Sequence, residues 1–327
     1  MKKRIALLAG GYSGERVISI KTAKTIEQHI DASLYEVHKI IIDKEGWFAE
    51  ADQQRIDLND FSLRNPAGEK IHFDAAFIAV HGTPGEDGKL QGYLDMQGIP
   101  YTTCSAIVSG LTFNKLFCNQ VVAQSGLVSV ALSMSVYRGR SYSAHDVVAH
   151  LGLPVFVKPA EGGSSLATTK VKTMDELAPA LEAVFAIEEQ AMVEQFIPGR
   201  EFSIGVYRSG GVLHTLPPTE IISTKEFFDY EAKYTPGVTR EVTPADISEE
   251  QTRDLREKAA AIYTHLNCRG ICRVDFILSN TTGEWYFLEI NTVPGQSENS
   301  IVPQQVRAAG KTLKEFYGAL LAECLGC

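Results

Sequence analysis

The 327-residue chain has no dense cluster of lysine and arginine, and its 31 basic residues are outnumbered by 40 acidic ones, giving a formal charge of −9. A protein that grips nucleic acid needs a basic face, so this balance argues against that class. No apolar run is long enough to cross a bilayer. The first residues, Met1-Lys-Lys-Arg4, are basic like an export signal, but the apolar run 5–9 is too short and ends in Gly10-Gly11. A strand is the better reading. No short repeat, low-complexity tract or Pro/Ser-rich linker stands out, so domain borders must come from the order of elements. With no export signal, the six cysteines are expected as reduced thiols in the cytoplasm. The spacings Cys268/Cys272 and Cys324/Cys327 could hold zinc. The first pair spans a helix end and a strand start and the second sits at the chain end, so the plain reading is preferred.

What is present is an alternation of β and α patterns. A strand at 4–9 leads through a Gly-Gly turn into a helix at 15–30, whose Val17, Ile20, Ala23, Ile26 and Ile30 share a face. Strands at 37–43 and 75–80 and a helix at 88–97 complete a βαβ-type unit with a parallel sheet. A second unit has a helix at 113–124, a strand at 154–158, a helix opened by a capping box at Thr173 and Glu176, and strands at 191–196 and 201–207. The third has a capping box at Ser248 and Gln251, strands at 273–278 and 285–290 joined by the polar turn 279–284, and a last helix at 313–324. The expected division is 1–109, 110–207 and 208–327.

Two of these strands carry oxygens where apolar residues are expected. Side chains two apart on a strand share a face, so Arg273 projects with Asp275, and Glu289 with Asn291. Converging carboxylate and amide oxygens suit a hard cation such as Mg²⁺, which usually accompanies phosphates. The chain therefore points to a nucleotide-dependent enzyme. Lys158 ends a strand before the small-residue loop Gly162-Gly-Ser164-Ser165. A lysine and open backbone amides can hold phosphate, although an ordinary flexible loop explains the segment equally well. The segment 194–201 could offer an adenine edge and Glu201 for ribose, or be a solvated hairpin. His81, in His81-Gly-Thr-Pro-Gly-Glu86-Asp87-Gly88 after an apolar strand, is a site candidate at the carboxyl end of a sheet. Glu86 and Asp87 could simply cap the next helix. Glu15 is explained by the dipole of the helix it opens. The stretch 223–244, with Lys233 and Tyr234, reads as an active-site cover or a surface loop. Gly295 and Ser300 could bind an oxyanion or a carboxylate, and Ser300 could cap a helix.

Taken together and in order, these motifs resemble the D-alanine–D-alanine ligase family of the ATP-grasp superfamily. They are Gly10-Gly-Tyr-Ser-Gly-Glu15-Arg-Val-Ile-Ser19, the 81–88 loop, Lys158-Pro with the Gly-Ser-Ser of 163–165, Glu194-Gln-Phe-Ile-Pro-Gly-Arg-Glu201, Tyr-Glu-Ala-Lys-Tyr at 230–234, Arg-Val-Asp at 273–275 and Glu-Ile-Asn-Thr-Val-Pro-Gly at 289–295. The resemblance implies an α/β, three-domain ATP-grasp architecture with an N-terminal parallel-sheet domain. It places ATP between the central and C-terminal units, with Lys115, Lys158, Ser165 and Lys233 on phosphates, Glu194, Phe196 and Ile197 around adenine, and Glu201 on ribose. Asp275, Glu289 and Asn291 would bind two Mg²⁺, for which Mn²⁺ can substitute. Glu15, in a network with Ser164 and Tyr234, would hold the first D-alanine, with His81 beside the substrate. Arg273 and the Gly295 backbone would stabilise the oxyanion, and Ser300 and Ile301 the second carboxylate. The family also implies a cytoplasmic homodimer acting on D-alanine for peptidoglycan precursor synthesis, with no nucleic-acid or membrane partner. Departures from the family pattern are Asn114 before the lysine, Leu166-Ala167 after Gly-Ser-Ser, and Asn299 before Ser300. The rival readings are a D-alanyl-D-lactate or D-alanyl-D-serine ligase and a non-catalytic nucleotide sensor. The intact 230–234 motif argues against the lactate type, and the full set of metal and phosphate ligands against the sensor.

Overall fold

The computed structural model describes residues 2–65, 67–163, 166–223 and 239–326. Strands β1 (Lys3–Gly10), β2 (Tyr35–Asp43), β3 (Gly46–Ala49) and β6 (Ala75–Ile78) form a sheet of order β3-β2-β1-β6, and the short pair β4 (Leu63–Arg64) and β5 (Lys70–Ile71) lies apart from it. β1 runs parallel to both β2 and β6, as the βαβ pattern requires. Its side chains alternate between two cores. Ile5, Leu7 and Ala9 meet α1 (Arg16–His29) through Ala23 and Ile26, whereas Ala6 and Leu8 join Leu90 and Leu94 of α2 (Lys89–Gln97). Both faces are covered, so the strand reads as a continuous apolar run. Gly10 and Gly11, both at positive φ, turn the chain from β1 into α1; a Cβ on Gly10 would strike the Ile42 carbonyl.

Helices α3 (Ala106–Phe113) and α4 (Lys115–Ser125) lead to β7 (Ser129–Val130). The predicted helix at 113–124 begins at Lys115, because Asn114 is extended and its side chain accepts the Phe117 amide at 3.2 Å as an N-cap. The second sheet, β10-β9-β11-β8, is built from β8 (Ser133–Tyr137), β9 (Val155–Pro159), β10 (Thr169–Val171) and β11 (Gln190–Gln195), with all pairs antiparallel. Val155, Val157, Ala191 and Val193 pack under α5 (Ala144–Leu151) and α6 (Leu177–Phe185). Only half of the capping box expected at Thr173 forms. A 3₁₀ turn at Met174–Glu176 intervenes and the Thr173 side chain caps no amide, while the Glu176 carboxylate accepts from Thr173 and from the Lys172 amide, the latter at 2.7 Å.

The largest sheet is β15-β14-β12-β16-β17-β7, with β13 (Val212–Thr215) paired to β12. It contains β12 (Gly199–Ser209), β14 (Thr219–Ser223), β15 (Thr239–Val242), β16 (Cys272–Ser279) and β17 (Trp285–Asn291). Helix α7 (Glu249–His265) covers one face, and its Ser248 capping box forms as expected. The strands read as 191–196 and 201–207 are thus not one hairpin: β11 belongs to the second sheet, while β12 pairs along its length with β16. The border expected at 207/208 falls inside β12. The last helices, α8 (Ile301–Ala308) and α9 (Leu313–Leu325), return to the first sheet, where Phe316, Tyr317, Leu320 and Leu321 share a core with β1 and α1. Among the described residues no helix is long and apolar enough to cross a membrane.

Candidate active site

A cleft of about 1150 Å³ opens between the second and third sheets and the loops of the first. Glu15, Lys115, Lys158, Glu194, Phe196, Ile197, Glu201 and Glu289 all line it. Register explains how strands deliver them. On β9 and β11, Lys158 lies opposite Met192 and Phe156 opposite Glu194, so Lys158 and Glu194 are diagonal neighbours on the face turned away from the α5/α6 core. Lys158 Nζ donates to Glu194 Oε2 at 2.6 Å, and Asn119 Nδ2 to Oε1 at 3.1 Å. The pair is almost dry, with side-chain exposures of 12% and 4%. Phe196 meets Phe156 edge-on at 5.7 Å, and Lys170 Nζ sits 3.8 Å over its ring centroid. Lys115 donates to the Gly162 carbonyl, which ties the start of α4 to the glycine loop.

The opposite wall is one face of the third sheet. Phe202, Ile204, Val274, Phe276 and Ile290 point into the core under α7. Their alternates Glu201, Ser203, Arg273, Asp275, Glu289 and Asn291 therefore share the other face. Pairing brings Ser203 opposite Asp275, Asp275 opposite Glu289, and Arg273 opposite Asn291. A bulge after Asp275 keeps Glu289 on this face and lets Phe287 turn to the core opposite Phe276. Asp275 is held by Ser203 Oγ at 2.5 Å and by the Arg273 fork at 2.9 and 2.7 Å. Burial opposes the charge of Arg273, but Asp275, Glu289 and Glu201 outweigh it, so its proton is held more tightly than usual. The donor set of Asp275, Glu289 and Asn291 is all oxygen and rigidly strand-borne, which fits a hard divalent cation.

The first sheet contributes Glu15, at the N-terminus of α1. A Cβ added at Gly82 or at Gly163 would lie 3.2 Å from its carboxylate oxygens, so the glutamate is seated between the two loops. Beneath it, His81 is buried, with Nδ1 on the Val293 carbonyl at 2.9 Å and Nε2 on Thr22 Oγ1 at 3.0 Å. Burial lowers its pKa, so the ring is neutral, donating to the carbonyl and accepting from the threonine. Both ring nitrogens are thus engaged by the scaffold. Glu86 accepts the Gly82 amide at 2.7 Å, and burial together with the charge of Glu15 pushes its carboxyl up to about 8. Gly295 packs on Ser300, which shares a 2.7 Å hydrogen bond with Ser297 and stands at the N-terminus of α8 ahead of Ile301. Ser164, Ser165, Lys233 and Tyr234 lie outside the described residues.

Some contributors were not named from the sequence. Ser203 was hidden among the apolar residues of β12, though a serine at an alternate position there was the available signal. Asn119 sits on a helix with nothing local to mark it, and Lys170 on an edge strand far from the adenine-side motif. Arg200, which forks onto Glu220 at 2.7 and 2.8 Å on the rim of the cleft, was quoted only as part of a motif.

Two mainly antiparallel sheets clasping a cleft, one with a lysine–glutamate pair and the other with an acidic face, define an ATP-grasp enzyme. Family models described as the N-terminus and C-terminus of D-ala D-ala ligase match residues 4–104 and 122–322. A D-alanine–D-alanine ligase from Parabacteroides distasonis is 44% identical over 96% of this chain and 95% of its own. Among solved structures, the D-alanyl-alanine synthetase A of Vibrio cholerae superposes with a TM-score of 0.89 at 31% identity, over 100% of this chain and 99% of that one. The VanG D-Ala:D-Ser ligase of Enterococcus faecalis gives 0.89 at 28% identity, over 99% and 100%. The chain belongs to the D-alanine–D-alanine ligase family of ATP-dependent ligases.

Proposed function

We propose that the enzyme joins two D-alanine molecules through a D-alanyl phosphate, in the cytoplasm, to supply peptidoglycan precursor synthesis, and that it works as a homodimer. The observation that supports this reading best is the array of Arg273, Asp275, Glu289 and Asn291 on one face of the third sheet, with Glu289 lining the same cleft as the Lys158–Glu194 pair. A carboxylate oxygen of the first D-alanine attacks the γ-phosphorus, and ADP leaves. The amine of the second attacks the acyl carbon; a C–N bond forms, the C–O bond to phosphate breaks, and the amine loses a proton.

In this reading Lys115, Lys158, Ser165 and Lys233 hold the phosphates, Glu194, Phe196 and Ile197 frame adenine, and Glu201 holds ribose. Glu15, with Ser164 and Tyr234, accepts the ammonium of the first D-alanine. Arg273 and the Gly295 amide are cationic and N–H donors for the tetrahedral oxyanion. Ser300 and the amide of Ile301, at a helix N-terminus, receive the second carboxylate. Asp275, Glu289 and Asn291 would hold Mg²⁺, which supplies charge neutralisation at the phosphates. His81 acts by fixing α1 against the 293 segment. The stretch 223–244 shields the acyl phosphate from water.

The test is ATP-dependent phosphate release screened over D- and L-amino acids and D-lactate, with products identified by mass spectrometry. D-alanyl-D-alanine near neutral pH, with little depsipeptide, is expected. Depsipeptide or D-alanyl-D-serine as the main product would move the chain to a sister activity. Light scattering should give twice the chain mass.

A further inference from the structure

The turn between α7 and β16 meets the segment that follows the first sheet, and three thiols converge there. Cys104, Cys268 and Cys272 are 0%, 4% and 0% exposed, and their sulfurs all lie within 4.8 Å of one another. The Cys104 and Cys272 sulfurs are 3.5 Å apart. Among the described residues, no other three His, Cys, Asp or Glu side chains come together so tightly. The backbone of the turn completes the enclosure. The Arg269 amide donates to Cys104 Sγ at 3.3 Å, and the Arg269 carbonyl lies 3.4 Å from Cys104 Sγ and 3.8 Å from Cys272 Sγ. Gly270, at φ +61°, touches the Thr102 carbonyl so closely that no side chain fits, so the turn is held against the segment 101–103, which bridges to Ala76 of β6 just before Cys104.

We propose that Cys104, Cys268 and Cys272 form a structural zinc site, with the Arg269 carbonyl as fourth donor. Tetrahedral zinc with Zn–S bonds of about 2.3 Å needs sulfurs about 3.8 Å apart, a value between the 3.5 Å of Cys104 and Cys272 and the 4.8 Å that bounds the three sulfurs. Thiolates select zinc over the hard Mg²⁺ that oxygen donors prefer, so the site and the catalytic cleft take different ions.

A contrast within the same core supports a ligand role. Cys118 also lies in the cluster under α7, but alone, and burial pushes its thiol up to about 12. It behaves as a small apolar filler. Cys104, by contrast, has the Cys272 sulfur at 3.5 Å and receives the Arg269 amide at 3.3 Å. A cation bound among the three sulfurs displaces thiol protons, so binding tightens as pH rises. The site would tie the segment at 104 to the base of the strand that presents Arg273 and Asp275.

The experiment refolds the reduced full-length chain from urea with Co²⁺, so that closure of the core does not bar entry. We expect a thiolate-to-cobalt charge-transfer band that saturates at one equivalent and is abolished by Zn²⁺. Cobalt at the oxygen ligands of the cleft gives no such band. Cys104→Ser and Cys272→Ser should each weaken metal affinity by on the order of 100-fold or more, whereas Cys118→Ser should leave the band intact. Chelation of the zinc-loaded protein should lower its melting temperature. Absence of the band in folded, reduced wild-type protein at pH 8 overturns the proposal, and so does a band unchanged in both serine variants. If those variants do not fold, the wild-type titration decides alone.

Discussion

Lys158 and Glu194 are a buried pair, and a buried ion left alone costs more than the pair contributes. Lys158→Ala should therefore weaken ATP binding by roughly 1.5–3 kcal/mol, the value of a charge-assisted contact, and also lower the melting temperature by stranding Glu194. Calorimetry on the folded variant separates the two effects; unchanged nucleotide affinity would remove Lys158 from the phosphate site. Glu289→Ala should abolish turnover while circular dichroism stays that of wild type, because β17 keeps its ladder. Near-normal activity at ordinary Mg²⁺ would end the metal assignment. Glu86 and His81 give a pH signature. The buried Glu86 keeps its proton to about 8 against an ordinary 4.5, so its contribution is full below pH 4.5 and is lost as pH rises to about 8. His81, lowered by burial, contributes in the opposite sense: the unfolded chain gains a proton below its ordinary 6.5, so stability falls on acidification. Glu86→Gln should therefore melt at a temperature that rises to about pH 6.5 and then stays flat. Wild type should decline from there to pH 8. Parallel melting profiles would show that Glu86 is not protonated in the fold.

At the scale of elements, the segment 195–199 is a joint between two sheets. Gly199 begins β12 where a Cβ would collide with the Leu278 carbonyl of β16. Gly199→Ala should push the two strands apart and cost about 1–3 kcal/mol in urea unfolding, with weaker ATP binding because Glu201 moves with the strand. A variant as stable and as tight as wild type would show that the contact relaxes freely. This joint also marks what the sequence hid. β16 and β17 were legible because oxygen-bearing residues alternate with apolar ones, a period that only a strand with two unlike faces produces. The partners of β12 were not legible, since an apolar alternation states which side is buried but not against which strand. The box at Thr173 had the right residue types, and its glutamate half forms, yet a 3₁₀ turn leaves the threonine side chain without an amide to cap. Asn114, where the family usually has aspartate, caps α4 as that residue would, and its Nδ2 also donates to Gln190 Oε1 at 3.1 Å, which an aspartate could not do. The three thiols were legible only as a pair, because the third comes from a distant part of the chain.

For the whole molecule, the packing of α9 on the first sheet matters most. Phe316 and Tyr317 are nearly fully buried, and Tyr317 meets Phe77 of β6 at 5.8 Å. Phe316→Ala should cost about 3–5 kcal/mol and raise hydrogen exchange of β1 amides rather than of β9. Equal loss of protection in both sheets would mean that the molecule opens as one unit. The same packing sets a schedule for biosynthesis. Proteins usually fold from the amino end as they emerge from the ribosome, but here one apolar face of the earliest sheet waits for the final helix. A nascent chain halted before residue 313 should display that face to chaperones and proteases, and release of the last residues should close it.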